Sequence, residues 1–534
     1  MNRTRKIGFA TRLLAQGQVK EAAELTERLL ADSPDDAAVH YLACEVAMAQ
    51  DRPSAALERL EQALASDPLN PDYLFRKAAI QVMLRRGIDA QKTVSELAAM
   101  YPDNVTIQLG AARIFGECGN HAGATAFLEN VAGQDRNDVQ FLSRYATNQF
   151  FLGNTDAAER AIADYLALEP PAVGRKLLLR SMLRKQTHER NNLASLRAYL
   201  ERPLPPKEAV NVQFALAREL EDLGEFEAAF EALRTGAALQ KQLVRHNPSH
   251  ELDNIRDLVR TFRPEAFAAI PESSAAESPV FIVGLPRTGT TLVERLVTRQ
   301  DDVRSAEESY DFTLAFSSVI NEHLAANPGR GLTPLGAALE ADYGEIARRY
   351  LANMRGMLGD AAMYLDKTPF NYLYCGLIRK AFPQARIIHM VRDPMDACYA
   401  VFKTLFSRAY YYSYDLGELA DYYVAYREVM DHWHRLMPGS ILDVGYEALV
   451  SDPATVSRQI ADHVGIPWSE ELLEIQDSPR ACTTASAAQV REPIYTRSIG
   501  LWRNVAAQME PVRQRLEAAG LVDENGDPPA QASD

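Results

Sequence analysis

Apolar residues recur along this chain in two different patterns. Up to about residue 245 they follow helical spacing, as in Ala22-Ala-Glu-Leu-Thr-Glu-Arg-Leu-Leu30, where apolar side chains share one face. From about residue 278, short runs rich in β-branched residues, such as Val280–Val283, alternate with helical stretches. The change of pattern predicts a multidomain chain, with an all-α array followed by an α/β domain built on a parallel sheet.

The first region has an internal period of 34 residues. Small residues recur at Ala22, Ala56, Ala90, Ala124 and Ala158. Turn positions on the same lattice hold Gly17, Asp51, Arg85, Gly119 and Gly153. Prolines follow the second half of the unit at Pro34, Pro68, Pro102 and Pro170. A helix-turn-helix unit of this length, with a small residue at the helix crossing, resembles the tetratricopeptide repeat and implies a superhelix.

The domain limits follow from where the period weakens. One more unit is visible around Gly224 and Ala229, so we predict a repeat array over 1–250. A linker over 251–277, an α/β domain over 278–520 and a disordered tail over 521–534 complete the predicted organisation. Repeat arrays usually bind a peptide or protein on a concave face. A packing scaffold for the second domain, or a homodimer interface, is the alternative that the sequence leaves open.

Composition narrows the class of protein. The 534 residues carry a net charge of −15, which disfavours a general nucleic-acid binder. The five cysteines contain no C-x-x-C pair, which indicates free thiols in a reducing compartment and no zinc site. The basic N-terminus lacks a following apolar stretch, and no run of 18 apolar residues occurs. We therefore expect a cytoplasmic location with no membrane span.

The strand Val280–Val283 leads into a glycine-containing turn and then a helix. Gly284, Gly289 and Thr291 fit the pattern G-x-x-x-x-G-K-[ST], but Thr290 stands at the lysine position. This disfavours a P-loop kinase or nucleoside triphosphatase, which stays an alternative, as does a turn without ligand. The P-loop-like turn favours a shorter anion held by backbone N–H groups and the helix dipole. The candidate contacts are Arg287, Thr288, Gly289, Thr290, Thr291 and Leu292.

Further polar residues follow the other predicted strands. Glu307 and Glu308 face the same cleft or belong to the first turn of a helix, where acids are favourable. Lys367 comes after an apolar run, at the strand edge where open α/β sheets bind ligands. Arg392 ends another strand, and a guanidinium there suits a phosphate. The next residue, Asp393, is a magnesium aspartate or a helix cap, and the following proline favours the cap.

Near the C-terminus, residues 484–503 have little periodicity. This loop-like stretch carries Arg491, Arg497 and Arg503, which we predict to lie over a bound nucleotide. The aromatic residues 410–414 line an acceptor cleft or pack on a helix face, and packing is the favoured interpretation.

Together these motifs resemble the sulfotransferases that use 3′-phosphoadenosine-5′-phosphosulfate (PAPS), closest to the tyrosylprotein sulfotransferase branch and its bacterial relatives with N-terminal tetratricopeptide repeats. Pro286–Leu292 is similar to the family's 5′-phosphosulfate loop, and Arg392-Asp-Pro394 is similar to its 3′-phosphate motif. The resemblance implies sulfonyl transfer to a hydroxyl or amine of a protein, carbohydrate or small molecule, without a metal.

The resemblance also implies roles for single residues. Glu308 corresponds to the general base, with Glu307 as the less favoured candidate. Lys367 and Ser486 correspond to residues that stabilise the transferring sulfonate, and Tyr446 to a nucleotide contact. Arg287 would neutralise charge in the loop, and Arg491 and Arg503 would contact the nucleotide.

Four positions depart from the family pattern. Ala400 stands where a serine helps to bind the 3′-phosphate, Thr404 stands where the tyrosylprotein branch has a further arginine, and Leu501 replaces a basic residue. Tyr310 replaces a basic residue near the acceptor. Substitutes for the lost charges could come from Lys403, Arg408, Arg497 or Arg503. The losses motivate an alternative function, a non-catalytic interaction scaffold with a degenerate second domain.

Overall fold

The computed structural model describes residues 3–131, 138–300, 302–406, 409–477 and 491–529. The chain forms two compact units. The first comprises Met1–Asn148 with Ala352–Asp360, and the second comprises Gln149–Leu351 with Ala361–Asp534. Within the described residues, none of the helices has both the length and the apolar character needed to cross a membrane.

The first unit is built from antiparallel helix pairs. Its helices are α1 (Arg3–Ala15), α2 (Val19–Asp32), α3 (Ala37–Ala49), α4 (Pro53–Ser66), α5 (Pro71–Met83), α6 (Gly87–Met100), α7 (Val105–Glu117) and α8 (His121–Val131). The lattice alanines lie near the start of every second helix and are fully buried. All five lattice turn positions adopt positive φ, including Asp51 at 55° and Arg85 at 59°. The predicted repeat is confirmed by this agreement of helices, buried alanines and left-handed turns.

The second unit begins with further helices. They are α9 (Val139–Leu152), α10 (Thr155–Ala167), α11 (Gly174–Met182), α12 (Leu193–Leu200), α13 (Pro206–Asp222), α14 (Phe226–Leu243), α15 (Pro248–Thr261) and α16 (Pro264–Ala269). Helix α9 starts in the first unit and ends in the second. Gly224 has φ 80° and Ala229 is fully buried, so α13 and α14 repeat the turn and crossing of the earlier pairs.

Part of the segment predicted as a linker, 251–277, is helical. It contains most of α15 and all of α16, because apolar side chains anchor it. Phe262 is fully buried and its carbonyl is 3.0 Å from Nε2 of His432. The rings of Phe267 and Trp433 lie 6.0 Å apart. The stretch therefore packs on the second domain, with non-helical residues at 262–263 and from 270 onwards.

A five-stranded sheet organises the rest of the second unit. Its strands are β1 (Val280–Gly284), β2 (Val303–Ser305), β3 (Met363–Asp366), β4 (Arg386–Val391) and β5 (Ile441–Gly445). The order is β2-β3-β1-β4-β5, and every pairing is parallel, as the sequence predicts. All five residues of β1 are buried because the strand is central. The carboxyl ends of the strands therefore meet at one edge.

The helices around the sheet follow these strands. They are α17 (Thr290–Val297), α18 (Asp311–Ala326), α19 (Pro334–Ala338), α20 (Tyr343–Leu358), α21 (Cys375–Ala381), α22 (Pro394–Phe402), α23 (Leu416–Leu436), α24 (Tyr446–Ser451), α25 (Pro453–Val464) and α26 (Ala506–Ala518). Short 3₁₀ turns include Pro369–Tyr374, Tyr411–Tyr414 and Leu501–Val505. One apolar core joins β1 to α17, with Ile282, Val293 and Leu296 fully or almost fully buried.

Two further stretches, residues 410–414 and 521–529, contain packed side chains. Tyr412 is 1% exposed and stacks on Tyr422 with ring centroids 3.6 Å apart, so the packing interpretation of residues 410–414 is confirmed at this residue. Residues 521–529, at the start of the stretch predicted as a disordered tail, are mostly exposed but include buried positions. Val522 is buried, and Asp527 pairs with Arg503.

Candidate active site

The glycine-containing turn follows the central strand at the carboxyl edge of the sheet. Gly284 has φ 141°, Arg287 φ 68° and Gly289 φ 101°, so the backbone curls tightly before α17 begins at Thr290. A Cβ on Gly289 would lie 2.8 Å from Cδ2 of Tyr446, which leaves room for glycine alone. The predicted strand, turn and helix start are confirmed. They form a cradle whose helix N-terminus faces the cleft.

Two adjoining cavities open beside this turn. The first has a volume of about 90 Å³, and its walls include Arg287, Gly289, Thr291, Leu292, Arg392 and Tyr446. The second has a volume of about 540 Å³ and shares with the first the residues Arg287, Lys403, Glu492, Tyr495, Ser498 and Leu501. Ligand pockets usually hold roughly 300–1,000 Å³, so the second cavity falls within this range and the first lies below it.

Arg392 is the buried cation of the first cavity. It follows β4 directly and is 8% exposed. Its Nη1 donates to the carbonyl of Arg287 at 2.9 Å and its Nη2 to that of Ser498 at 2.7 Å. Its Nε is buried and has no hydrogen-bond partner among the described residues. The guanidinium also lies 4.7 Å from the ring centre of Tyr446. Arg392 and Tyr446, two of the predicted site residues, therefore line the same wall of the first cavity.

Asp393 is a helix cap. Its carboxylate accepts a hydrogen bond from the backbone N–H of Asp396 at 2.8 Å, at the start of α22. Its own N–H donates to Glu447 at 3.0 Å. Burial raises the pKa of Asp393 to about 6. The cap interpretation is thereby confirmed, because the oxygen that caps the helix is already used.

Lys367 and Glu308 meet at the end of β3. The lysine is fully buried, and its Nζ donates to Oε1 of Glu308 at 2.9 Å. The Glu308 side chain is 39% exposed, so one end of the pair is open to solvent. Burial alone would lower the pKa of Lys367, but the charges of Glu294 and Glu308 raise it above its ordinary value. The lysine is therefore a fixed positive charge.

Glu307 and Glu308 do not belong to a helix. Helix α18 begins at Asp311, so the alternative of a helical first turn is wrong. Glu307 has φ 52°; its N–H donates to Ser305 Oγ at 2.9 Å, and its carbonyl accepts from the N–H of Lys367 at 3.0 Å. This fixed peptide sets the position of the next side chain, Glu308.

Sequence reasoning missed Glu294 on α17. Its side chain is 5% exposed, with Oε2 at 3.6 Å from Nζ of Lys367, and it also accepts a hydrogen bond from Ser305. Burial raises the pKa of Glu294, while the charge of Lys367 opposes the rise. An acid on an otherwise buried stretch of helix is the only sequence signal that could have indicated it.

Two tyrosines flank the open side of Glu308. Tyr310 is 43% exposed and adopts φ 54°, and its ring lies 6.3 Å from that of Phe370. Burial, followed by the charge of Glu308, raises the pKa of Tyr310 and of Tyr410. Tyr310 therefore presents a partly exposed aromatic side chain two residues after Glu308, at the position where the resembled branch carries a basic residue.

Two of the three C-terminal arginines, Arg491 and Arg503, lie outside the two cavities. Arg491 donates to the carbonyls of Phe150 and Phe151, at 2.9 and 2.5 Å, where α9 ends. Arg503 pairs with Asp527 and lies over the ring of Trp502. Neither side chain lines the two cavities, whereas Arg497 lines the second one. The cavity walls come instead from Pro493, Ile494, Tyr495, Ser498 and Leu501 of the same segment. Ser486 and Arg408 lie outside the described residues.

Within the described ranges, one trio has ligand atoms at metal-like spacing. It consists of His389, His434 and Asp443. Asp443 Oδ1 lies 2.8 Å from Nδ1 of His389 and 3.0 Å from Nε2 of His434. The other ring nitrogen of His389 is bonded to Tyr426. These polar atoms satisfy one another, so the trio is accounted for as a hydrogen-bonded network.

The fold and the site define an α/β protein with a glycine-containing turn at a helix start, a strand-end arginine and a buried lysine paired with a glutamate, preceded by helical repeats. Residues 279–470 match the sulfotransferase family, and residues 13–80 match the tetratricopeptide repeat. The second domain is therefore similar to the sulfotransferase family, and helical repeats similar to tetratricopeptide repeats precede it.

Relatives share part of this organisation. An uncharacterized protein of Aquifex aeolicus is 27% identical over 374 residues, which cover 68% of this chain and 48% of that protein. Protein-tyrosine sulfotransferase A of Caenorhabditis elegans is 24% identical over 47% of this chain and 68% of its own length. Protein-tyrosine sulfotransferase 1 of Danio rerio is 25% identical over 42% and 65%. The match thus spans about half the length of the Aquifex relative.

Solved structures resemble the two parts separately. The sulfotransferase domain from the Synechococcus PCC 7002 olefin synthase is 20% identical, with a TM-score of 0.32, over 46% of this chain and 97% of that domain. Pseudomonas aeruginosa PilF is 19% identical, with a TM-score of 0.31, over 43% and 96%. Such low TM-scores carry no argument beyond the family matches.

Proposed function

We propose that this protein is a sulfotransferase that moves a sulfonyl group from PAPS to a hydroxyl or amine of an acceptor. The observation that carries the proposal is the contact of fully buried Lys367 with half-open Glu308 at 2.9 Å. This pair lies at the carboxyl edge of the sheet, where the anion-binding turn and Arg392 also lie.

The residues present suit the donor. The turn at Arg287–Thr291 offers backbone N–H groups and a helix N-terminus to the 5′-phosphosulfate. Arg392 offers a buried Nε without a partner among the described residues, which suits a second phosphate. Tyr446 adds an aromatic wall beside both. A ligand with anionic groups at both ends of its sugar fits this arrangement.

In the proposed reaction, Glu308 removes a proton from the acceptor next to the fixed positive charge of Lys367. When bound, PAPS supplies an activated sulfonyl group and a phosphate leaving group. Glu308 accepts the proton of the acceptor hydroxyl or amine, which typically contributes roughly 10²–10⁴-fold. Lys367 balances the negative charge of the sulfonyl oxygens. Glu294 forms an ion pair with that lysine. By family resemblance, Ser486 would add a further hydrogen bond.

We also propose that the reaction needs no metal. The leaving group is a phosphate monoester, and the cations Arg287, Lys367 and Arg392 are already present at the sheet edge. Turnover in the presence of a chelator tests this directly. The repeat segment, we propose, binds the acceptor or a protein partner, as tetratricopeptide arrays usually do.

Calorimetric titration with 3′-phosphoadenosine-5′-phosphate (PAP), against ADP and ATP and without magnesium, tests the donor. Low-micromolar binding that is selective for the 3′-phosphate supports the proposal. Absence of binding to the folded protein would favour the non-catalytic scaffold, which the losses at Ala400, Thr404 and Leu501 motivate. Magnesium-dependent turnover of ATP would favour a kinase or triphosphatase.

A further inference from the structure

The second domain by itself offers few groups for a phosphate next to Arg392. Ala400 lines the first cavity with a methyl group only. Thr404 lines the second cavity, but its hydroxyl donates to the carbonyl of Ala400 at 2.9 Å. Leu501 is apolar and lines both cavities. Of the cations in the described part of the chain, Lys403 and Arg287 are the two that line both cavities.

The repeat segment forms the opposite wall of the larger cavity. Helices α11, α13 and α14 contribute Leu178, Phe214, Arg218, Glu221, Asp222 and Leu233 to the 540 Å³ space. All of these residues belong to the same compact unit as the sheet. The space in front of Lys403 is therefore enclosed by two parts of the chain that lie almost 200 residues apart in sequence.

Arg218 on α13 brings a positive charge into this cavity. Its Nε donates to the carbonyl of Ser181 at 3.1 Å, and within the described residues it forms no ion pair. Burial, followed by the charge of Arg218, lowers the pKa of Arg287 to about 10. The charges of Arg392 and Arg218 also lower the pKa of Lys403, in addition to burial. Arg218, Arg287 and Lys403 line the second cavity together, and Arg392 lines the adjoining first cavity with Arg287 and Lys403.

The acids of the cavity do not balance these cations. Glu221 accepts hydrogen bonds from Lys403 at 2.6 Å and from Tyr399 at 2.7 Å. Asp222 accepts from the N–H of Gln186 at 3.0 Å, and Glu492 pairs with Arg497. Counted over the described residues, this wall carries six cationic and three acidic side chains, and one of the six, Arg184, pairs with Asp156 and Glu159 outside the wall. The chain as a whole has a net charge of −15. Like charges gathered in a partly buried space favour binding of an anion.

We propose that Arg218 of the repeat segment binds the 3′-phosphate of the donor together with Arg392 and Lys403, in place of Ala400 and Thr404. The inference rests on the proposed function. It makes the repeat segment part of the donor site and gives it a role besides partner binding. Donor affinity then depends on α13, a helix that precedes the second domain in the chain.

The variant Arg218→Ala tests the proposal, with Lys207→Ala as its control. Lys207 is exposed near the start of the same helix and lines neither cavity. The full chain is titrated with PAP and with adenosine 5′-monophosphate, which lacks the 3′-phosphate. We expect Arg218→Ala to lose roughly 10- to 100-fold in PAP affinity, as removal of a charge-assisted hydrogen bond predicts. Affinity for the monophosphate should change less than twofold, and Arg218→Lys should be intermediate.

The outcomes separate this inference from the proposed function. Selective binding of PAP by the parent and by Arg218→Ala alike would overturn the inference and leave the proposed function standing. Equal losses for both nucleotides would also overturn it, because the effect would not concern the 3′-phosphate. If the parent binds neither nucleotide, the proposed function itself fails. Circular dichroism and thermal unfolding of each variant show that the compared proteins are folded.

Discussion

Lys367 and Glu308 lie 59 residues apart in sequence, yet their side chains are joined by a hydrogen bond of 2.9 Å. The contact exists because β2 and β3 pair in parallel, so that the segments following both strands leave the sheet at the same edge. A carboxylate that can take a proton thereby lies beside a buried positive charge. The first two predictions concern this pair.

Glu308→Gln should lower sulfonyl transfer by roughly 10²–10⁴-fold, because the amide cannot accept the acceptor's proton. PAP affinity should stay within about twofold of the parent, because the side chain faces the acceptor side (a factor of two is about 0.4 kcal/mol). Radiolabelled PAPS with a panel of hydroxyl and amine acceptors measures transfer, and calorimetry measures affinity. Glu307→Gln is the matched control. Loss of transfer in Glu307→Gln with activity kept in Glu308→Gln would show that the base is Glu307.

Lys367→Met should destabilise the fold by about 3–5 kcal/mol, because Glu294 would remain buried without its partner. Adding Glu294→Gln should recover a large part of that loss, since the unpaired charge is then removed as well. Urea unfolding of the parent, both single variants and the double variant measures the coupling. Strictly additive losses would mean that Glu294 does not depend on Lys367.

Gly289→Ala should weaken the anion-binding turn. The residue has φ 101°, and its new Cβ would lie 2.8 Å from the Tyr446 ring, so we expect a cost of roughly 1–3 kcal/mol in stability. PAP affinity should fall as the turn shifts. Gly445→Ala, at the end of β5, is the control because its Cβ would meet only Ala448, at 3.7 Å. Equal PAP affinities in the two variants would show that the turn does not bind the donor.

Much of the fold is encoded locally and could be predicted. The 34-residue period can be recognised in the sequence because every repeat packs in the same way. In each repeat a fully buried alanine, such as Ala90, permits one close helix crossing. The strand-turn-helix at Gly284–Thr291 is equally local. The sequence did not indicate helices in the predicted linker, because Phe262 and Phe267 become apolar anchors only against Trp433, far along the chain.

The candidate site could be predicted only where a local sequence pattern marks the residue. Lys367 and Arg392 follow strands, so their placement at the sheet edge follows from topology. Glu294 and Arg218 escaped notice because their partners come from other elements, and no local pattern marks them. Arg491 was assigned to the nucleotide by its charge alone. In the structure the carbonyls at the end of α9 engage that charge.

Asp366 should make stability depend on pH. Burial raises its pKa from 3.8 to about 7. Because the folded pKa is the higher one, the contribution to stability is complete below pH 3.8 and is lost as the pH rises through about 7. Relative to the parent, Asp366→Asn should therefore gain stability between pH 5 and 7, by up to about 1.4 kcal/mol per pH unit, and level off above.

Urea unfolding at pH 5, 6, 7 and 8 measures this difference for the parent and Asp366→Asn. Asp462→Asn is the control, since Asp462 is exposed on α25. A difference between Asp366→Asn and the parent that does not vary with pH would show that Asp366 titrates near its ordinary pKa in the folded protein.

Two glycines of the repeat array should respond to alanine in opposite directions, although an added Cβ meets nothing within 4 Å at either. Gly8 lies inside α1, where alanine removes flexibility from the unfolded chain, so Gly8→Ala should stabilise by about 0.5–1 kcal/mol. Gly119 has φ 74°, where a side chain costs about 1–2 kcal/mol, so Gly119→Ala should destabilise. Asp51→Gly, at the same lattice position with φ 55°, should stabilise. Thermal unfolding of the three variants measures the signs. Destabilisation by Asp51→Gly would mean that a contact of the aspartate side chain outweighs the relief of backbone strain.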